Sequence, residues 1–256
     1  MSSPFCINAK NLPPQNLSEG LLIPEGNNTL GWLQTYGYVD QVTVFGAPYD
    51  WRYAPDNQQG YFDSLQALVE HAYRINNKQR VTLYGEGSAA MMTLAFFNYM
   101  DEKIGTIWAT TYICNFYSVG GLYAGAISTI YTLTQAIDLE LDFPPIDKND
   151  PYFNALWKME GSWPVHYWNF PRLGPGVDTY GKLVPVVGND TRIWSTPELG
   201  DFIMLVFNDS SYVDTWLRVR NITSQPFNAP PVNTTLIHST DDTAPVSSSN
   251  HRLYLS

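Results

Sequence analysis

The stretch Arg80–Met100, RVTLYGEGSAAMMTLAFFNYM, constrains the fold of this chain more than any other. Val81 to Tyr84 is a short β-prone apolar run closed by Gly85, and from Ala89 to Met100 apolar residues stand on nearly every side. The first reads as a buried strand and the second as a helix covered all round. Between them lies the turn Gly85-Glu86-Gly87-Ser88-Ala89. A strand, a sharp turn and a buried helix can lift a nucleophilic side chain to the top of a sheet, the nucleophile being the middle residue of the five. Here the middle residue is Gly87, which has no side chain.

The flanking sequence supplies more elements of the same kind. Leu30–Tyr38 reads as a short helix ending at Gly37, and Gln41–Phe45 as a β-branched strand. Over Tyr61–Ile75 the residues Phe62, Leu65, Leu68, Val69 and Ala72 recur at three- and four-residue spacings, which predicts an amphipathic helix. Ile104–Ala109 reads as a further β-run, so strands and helices alternate and imply a mostly parallel sheet with helices on both faces. Residues 1–28 are rich in Pro, Asn and Gly without a period and read as an irregular arm. From Thr110 to Asp142 the chain is apolar and dotted with glycine; Gly120, Gly121 and Gly125 permit close backbone approach, and Ala124–Ile137 reads as a packed helix. Tyr152, Phe153, Trp157, Trp163, His166, Tyr167, Trp168 and Phe170 form an aromatic concentration that suits either a core or a cap over an apolar cleft. Helices near Glu198–Phe207 and Tyr212–Val219 and a strand at Val232–His238 follow. The expected organisation is one α/β domain over residues 29–245, with a cap-like insertion at about 110–225, and a polar tail at 246–256.

Composition excludes some partners. A net charge of -10, with no basic run, argues against nucleic acid. No apolar stretch approaches the roughly 20 residues of a spanning helix. The four histidines, at 71, 166, 238 and 251, are scattered without a ligand-spacing motif, and no nucleotide-binding glycine motif occurs, so neither metal nor cofactor is expected. Cys6 and Cys114 allow one disulfide or none. Asn16, Asn27, Asn189, Asn208, Asn221 and Asn233 each open an N-x-S/T triplet and point to a secretory route, whereas the first residues contain no signal-peptide pattern.

Four stretches together carry a family resemblance: GAPYDWR at Gly46–Arg52, the strand-turn-helix of Val81–Met100, WSTP at Trp194–Pro197 and the proline-led late strand. From about Leu30 to Pro245 the chain resembles the lecithin:cholesterol acyltransferase family, which includes the lysosomal phospholipase A2 acyltransferases. The resemblance implies an α/β-hydrolase fold incomplete at both ends, an extracellular or lysosomal setting, and a phospholipid or sterol-type lipid at a membrane or lipoprotein surface as partner. It also implies O-acyl transfer from a phospholipid to a sterol, an alcohol or water, through a serine activated by histidine and aspartate. Against the family's G-H-S-L-G turn, Gly87 occupies the nucleophile position and Ser88 the next, so impaired catalysis is expected. An active reading would use Ser88, with Asp242 in LIHSTDD as orienter and His251 as base. A third makes the chain a non-catalytic lipid-binding or interaction module.

Overall fold

The structure is a computed structural model that describes residues 5–9, 31, 33–126, 129–130, 133, 151–172, 185–188, 193–223 and 228–238. For residues 5–9, 151–154, 185–188, 193, 195 and 223 the description is of the backbone. Two compact units are distinguished. The first comprises residues 1–50, 57–121 and 228–239, and the second residues 51–56, 122–227 and 240–256.

The first unit is built on a parallel sheet of β1 (Phe5–Ala9), β2 (Phe45–Ala47), β3 (Val81–Glu86), β4 (Ile113–Val119) and β7 (Asn233–Ile237), in the order β2-β1-β3-β4-β7. Parallel neighbours need long connections. Helix α1 (Gln59–Ile75) lies in the one from β2 to β3, and α2 (Ser88–Lys103) and α3 (Ile107–Tyr112) lie in the one from β3 to β4. As its spacing predicts, α1 buries Tyr61, Phe62, Leu65, Val69 and Ala72 on one face. In α2, Ala90, Met91, Met92, Leu94, Phe96, Phe97 and Met100 are buried, so apolar cover extends round most of this helix. Phe62 and Phe96 meet with ring centroids 6.0 Å apart, and Phe97 meets Phe116 of β4 at 5.8 Å, so helices and sheet share one aromatic core.

Three sequence expectations are corrected. The arm over residues 1–28 contains a central strand, β1, registered Ile7 to Phe45 on one side and Ile7 to Leu83 on the other. The five residues FCINA contain one turn former, Asn8, and their Pro- and Asn-rich surroundings conceal them further. Ile104–Ala109 is not a strand: helix α3 begins at Ile107, and the strand is β4, six residues later. There Ile113, Phe116 and Ser118 are buried, a broken alternation that hides the strand in sequence. Gln41–Thr43 form a turn, with Gln41 at φ 59, and Val44 makes only an isolated bridge to Asp40, so the early strand begins at Phe45.

Among its described residues the second unit is helical, with one small hairpin. It contains α4 (Pro151–Gly161), α5 (Pro164–Trp168), the antiparallel pair β5 (Pro185–Gly188) and β6 (Ile193–Ser195), α6 (Leu199–Phe207) and α7 (Ser210–Thr223). Its aromatic residues pack as a core: Tyr167, Trp168 and Phe170 are buried, and Phe207 stacks between Trp157 and Tyr212 with centroids at 4.8 and 4.2 Å. Gly125 meets its sequence expectation, since it has φ 81 and a β-carbon there would run into the backbone of Phe170 and Pro171. The adjoining Ala126 N–H donates to the Asn169 carbonyl at 2.8 Å, and the Arg172 N–H to that of Ala124 at 3.0 Å. Burial disfavours the Arg172 charge, drawing its pKa down to about 9. An arginine keeps its proton even so, and here the guanidinium donates to the Trp168 carbonyl at 3.2 Å.

Candidate active site

The turn from β3 to α2 lies at the carboxyl end of a strand paired with β1, where the strand order reverses. In open α/β sheets that position is the usual place for a ligand. Glu86 ends β3, Gly87 is the N-cap of α2, and Ser88 is its first residue.

Two glycines make the turn, for different reasons. A β-carbon on Gly85 would stand 2.8 Å from Ala90 Cα and 2.9 Å from the Ala89 carbonyl oxygen, so the strand can pass the first turn of the helix only if residue 85 lacks a side chain. Gly87 instead has open space where a β-carbon would project, but its backbone is at φ 53, ψ -123. That is a left-handed conformation costly for an L-residue and familiar at the apex of a nucleophile elbow. Hydrogen bonds fix the apex on both sides: the Gly87 N–H donates to the Val119 carbonyl at 2.9 Å, and the Ala90 N–H to that of Gly87 at 3.2 Å. The sheet beyond is tied in the same way, with the Gly120 N–H donating to the Ile237 carbonyl at 2.8 Å.

Ser88 is half-buried in the first turn of α2, one residue past the apex. Glu86 is exposed and accepts a hydrogen bond from the Tyr84 hydroxyl at 3.1 Å. Asp242 and His251, the orienter and base of the active reading, lie outside the described residues, as do Asn16, Asn27 and Asn189. The described sequon asparagines, Asn208, Asn221 and Asn233, are all exposed.

The GAPYDWR motif leads from β2. Tyr49 meets Tyr61 of α1 at 5.4 Å, and burial pushes the Tyr49 hydroxyl well above the ordinary phenol range. The Gln58 amide donates to the Asp50 carbonyl at 2.7 Å. Asp50 is half-buried and Arg52 exposed.

Of the described histidines, His238 is exposed, and His71 and His166 pack against aromatic rings. His71 lies edge-on to Phe45 at 6.2 Å, and His166 stacks on Trp163 at 5.8 Å. Among the described residues no cluster of His, Cys, Asp and Glu could hold a metal ion, and no helix is long and apolar enough to cross a membrane.

Residues 25–142, which contain the motif, the elbow and β4, match the lecithin:cholesterol acyltransferase family. Similar proteins include the phosphatidylcholine-sterol acyltransferase of Gallus gallus, 36% identical over 97 residues, or 38% of this chain and 22% of the relative. That of Mus musculus is 31% identical over 129 residues, 48% of this chain and 28% of the relative. The lysosomal phospholipase A and acyltransferase of Homo sapiens is 33% identical over 104 residues, 41% of this chain and 23% of the relative. The chain thus spans about a quarter of the length of the relatives it matches. With a parallel sheet and an elbow in the same segment, residues 25–142 resemble the lecithin:cholesterol acyltransferase family.

Proposed function

We propose that this chain is a lipid-handling member of the family whose acyl transfer is impaired at the elbow. One observation carries the reading: the residue at the apex, in the strained conformation expected of a nucleophile, is Gly87. In serine-based acyl transfer the hydroxyl oxygen forms an ester with the acyl group, the donor alcohol leaves with the proton, and the acceptor then releases the acyl chain. Glycine supplies no oxygen for the first bond. The proposed ligands are phospholipid or sterol-type lipids, the names of the relatives being the support. The proposed setting is the secretory or lysosomal lumen, on the strength of the six sequons.

A serine-directed fluorophosphonate probe tests the impairment. The purified chain should remain unlabelled; labelling that disappears in Ser88→Ala would sink the reading and support catalysis by Ser88. A non-catalytic lipid-binding role gains support from Trp163, half-buried between Trp51, edge-on at 5.0 Å, and the stacked His166. Vesicle binding that survives Ser88→Ala and falls on Trp163→Ala is the outcome expected of that role.

A further inference from the structure

Beyond residue 200 the described chain exposes five large apolar side chains: Met204 at 43%, Leu205 at 53%, Leu217 at 44%, Leu236 at 61% and Ile237 at 48%. Each stands three or four residues from an exposed sequon asparagine, namely Asn208, Asn221 or Asn233.

On a helix that spacing puts two residues on one face. Met204 and Leu205 belong to the outer face of α6, whose inner face buries Leu199, Phe202 and Ile203. Asn208 caps this helix in a left-handed turn at φ 50, ψ 36, where its side chain is accessible. Leu217 and Asn221 share a face of α7 in the same way. Asn233 opens β7, whose five residues are all exposed. Among the described residues β7 has β4 on one side and no strand on the other. An open strand edge carrying Leu236 and Ile237 is a template for pairing with another chain.

We infer that N-linked glycans on Asn208, Asn221 and Asn233 shield these apolar residues and keep the chain from self-association. Each glycan is attached when the asparagine amide nitrogen bonds to the anomeric carbon of a lipid-diphosphate-linked oligosaccharide. The bond from that carbon to the diphosphate oxygen breaks, the lipid diphosphate leaves, and the amide proton passes to base. The product is bulky and strongly hydrated. At Asn208 it covers the outer face of α6, and at Asn233 it crowds the approach to a strand only about 16 Å long.

The inference rests on the proposed secretory-lumen setting, and the test separates the two. The full chain is expressed through the secretory pathway of a eukaryotic host, and its site occupancy is mapped by peptide mass spectrometry. Ser210→Ala and Thr235→Ala remove the sequons of Asn208 and Asn233 without altering either asparagine; Ser210→Thr and Thr235→Ser retain them as folding controls. Light scattering should show a shift from monomer to dimer or larger species in the alanine variants alone. Adding Met204→Gln and Leu205→Gln to Ser210→Ala should restore the monomer, whereas Ile107→Gln, at an exposed site without a neighbouring sequon, should not. Occupied sites whose loss leaves the mass unchanged would overturn the shielding and leave the setting intact. Sites that are all unoccupied would overturn both.

Discussion

A β-carbon on Gly85 would collide with backbone atoms of Ala89 and Ala90, which cannot swing aside as a side chain can. Gly85→Ala should therefore cost about 1–3 kcal/mol, the range for overpacking a closed site, and denaturant titration of the pure protein reads it directly. Gly87 differs in kind, because its β-carbon would meet nothing within 4 Å. Gly87→Ser carries only the penalty of the positive-φ backbone, about 1–3 kcal/mol, and should fold with an unchanged circular dichroism spectrum. If Gly87→Ser unfolded the chain while Gly85→Ala did not, the assignment of the apex would be wrong. These roles were partly legible in the sequence. Two glycines in GEGSA mark a tight turn, but only the backbone angles say which one is the apex and only the neighbouring atoms say which one is sterically required.

At the scale of elements, legibility followed periodicity. Helices α1 and α6 were readable because apolar residues recur at helical spacing over many residues, and β3 because it is a short apolar run ended by glycine. Strand β1 was not, since its pairing partners lie far along the chain and its flanks are turn-rich. Helix α3 was misread because Ile, Trp and Thr favour strands intrinsically, a preference that tertiary contacts override. One such contact is the Trp108 indole N–H, which donates to the Glu70 carboxylate at 2.8 Å and joins α3 to α1. The sheet order also decides a question the sequence leaves open. Cys6 lies opposite Thr82, and Thr82 opposite Asn115, next to Cys114, so β3 separates the two cysteines. Strands two apart are roughly 10 Å distant, whereas a disulfide tolerates at most about 7 Å between Cα atoms. Thiol titration of the unfolded, unreduced chain should therefore find both cysteines free. A second element-scale prediction concerns the link from α1 to α2, where Lys103 and the Tyr99 hydroxyl both donate to Asp63, at 2.5 and 2.7 Å. Their hydrogen bonds, that of Lys103 foremost, hold the Asp63 carboxyl below its ordinary range. A lowered acid pKa contributes stability above the unfolded value of about 3.9 and loses it as pH falls through the folded one. Because the carboxylate is 54% exposed, the contribution is small and weakened by salt. Asp63→Asn should lower the denaturation midpoint slightly near neutrality, and the gap from wild type should close as the solution is acidified. A gap independent of pH would rule out the ionic origin.

For the whole molecule, sequence and structure divide the functional question unequally. The scaffold was recoverable from residues because strand, turn and helix occur in a fixed order around GAPYDWR and GEGSA. The positions of Asp242 and His251, the orienter and base of the active reading, were not, since both follow β7 in a stretch without a hydrophobic period. Charge nevertheless makes a prediction about the lipid surface that such a scaffold would meet. With a net charge of -10 and a pI near 4.7, the chain is repelled at neutral pH by any anionic membrane. If lipid contact is apolar in origin, vesicles of phosphatidylcholine should retain more protein than vesicles rich in phosphatidylserine when both are presented at low ionic strength. Adding salt shortens the screening length from about 10 Å at 0.1 M to about 3 Å at 1 M, so the difference should shrink as retention by the anionic vesicles rises. Flotation of vesicle-bound protein across a salt series measures both arms. Preference for the anionic vesicles at low salt would mean that a local basic surface, rather than the overall charge, governs the encounter.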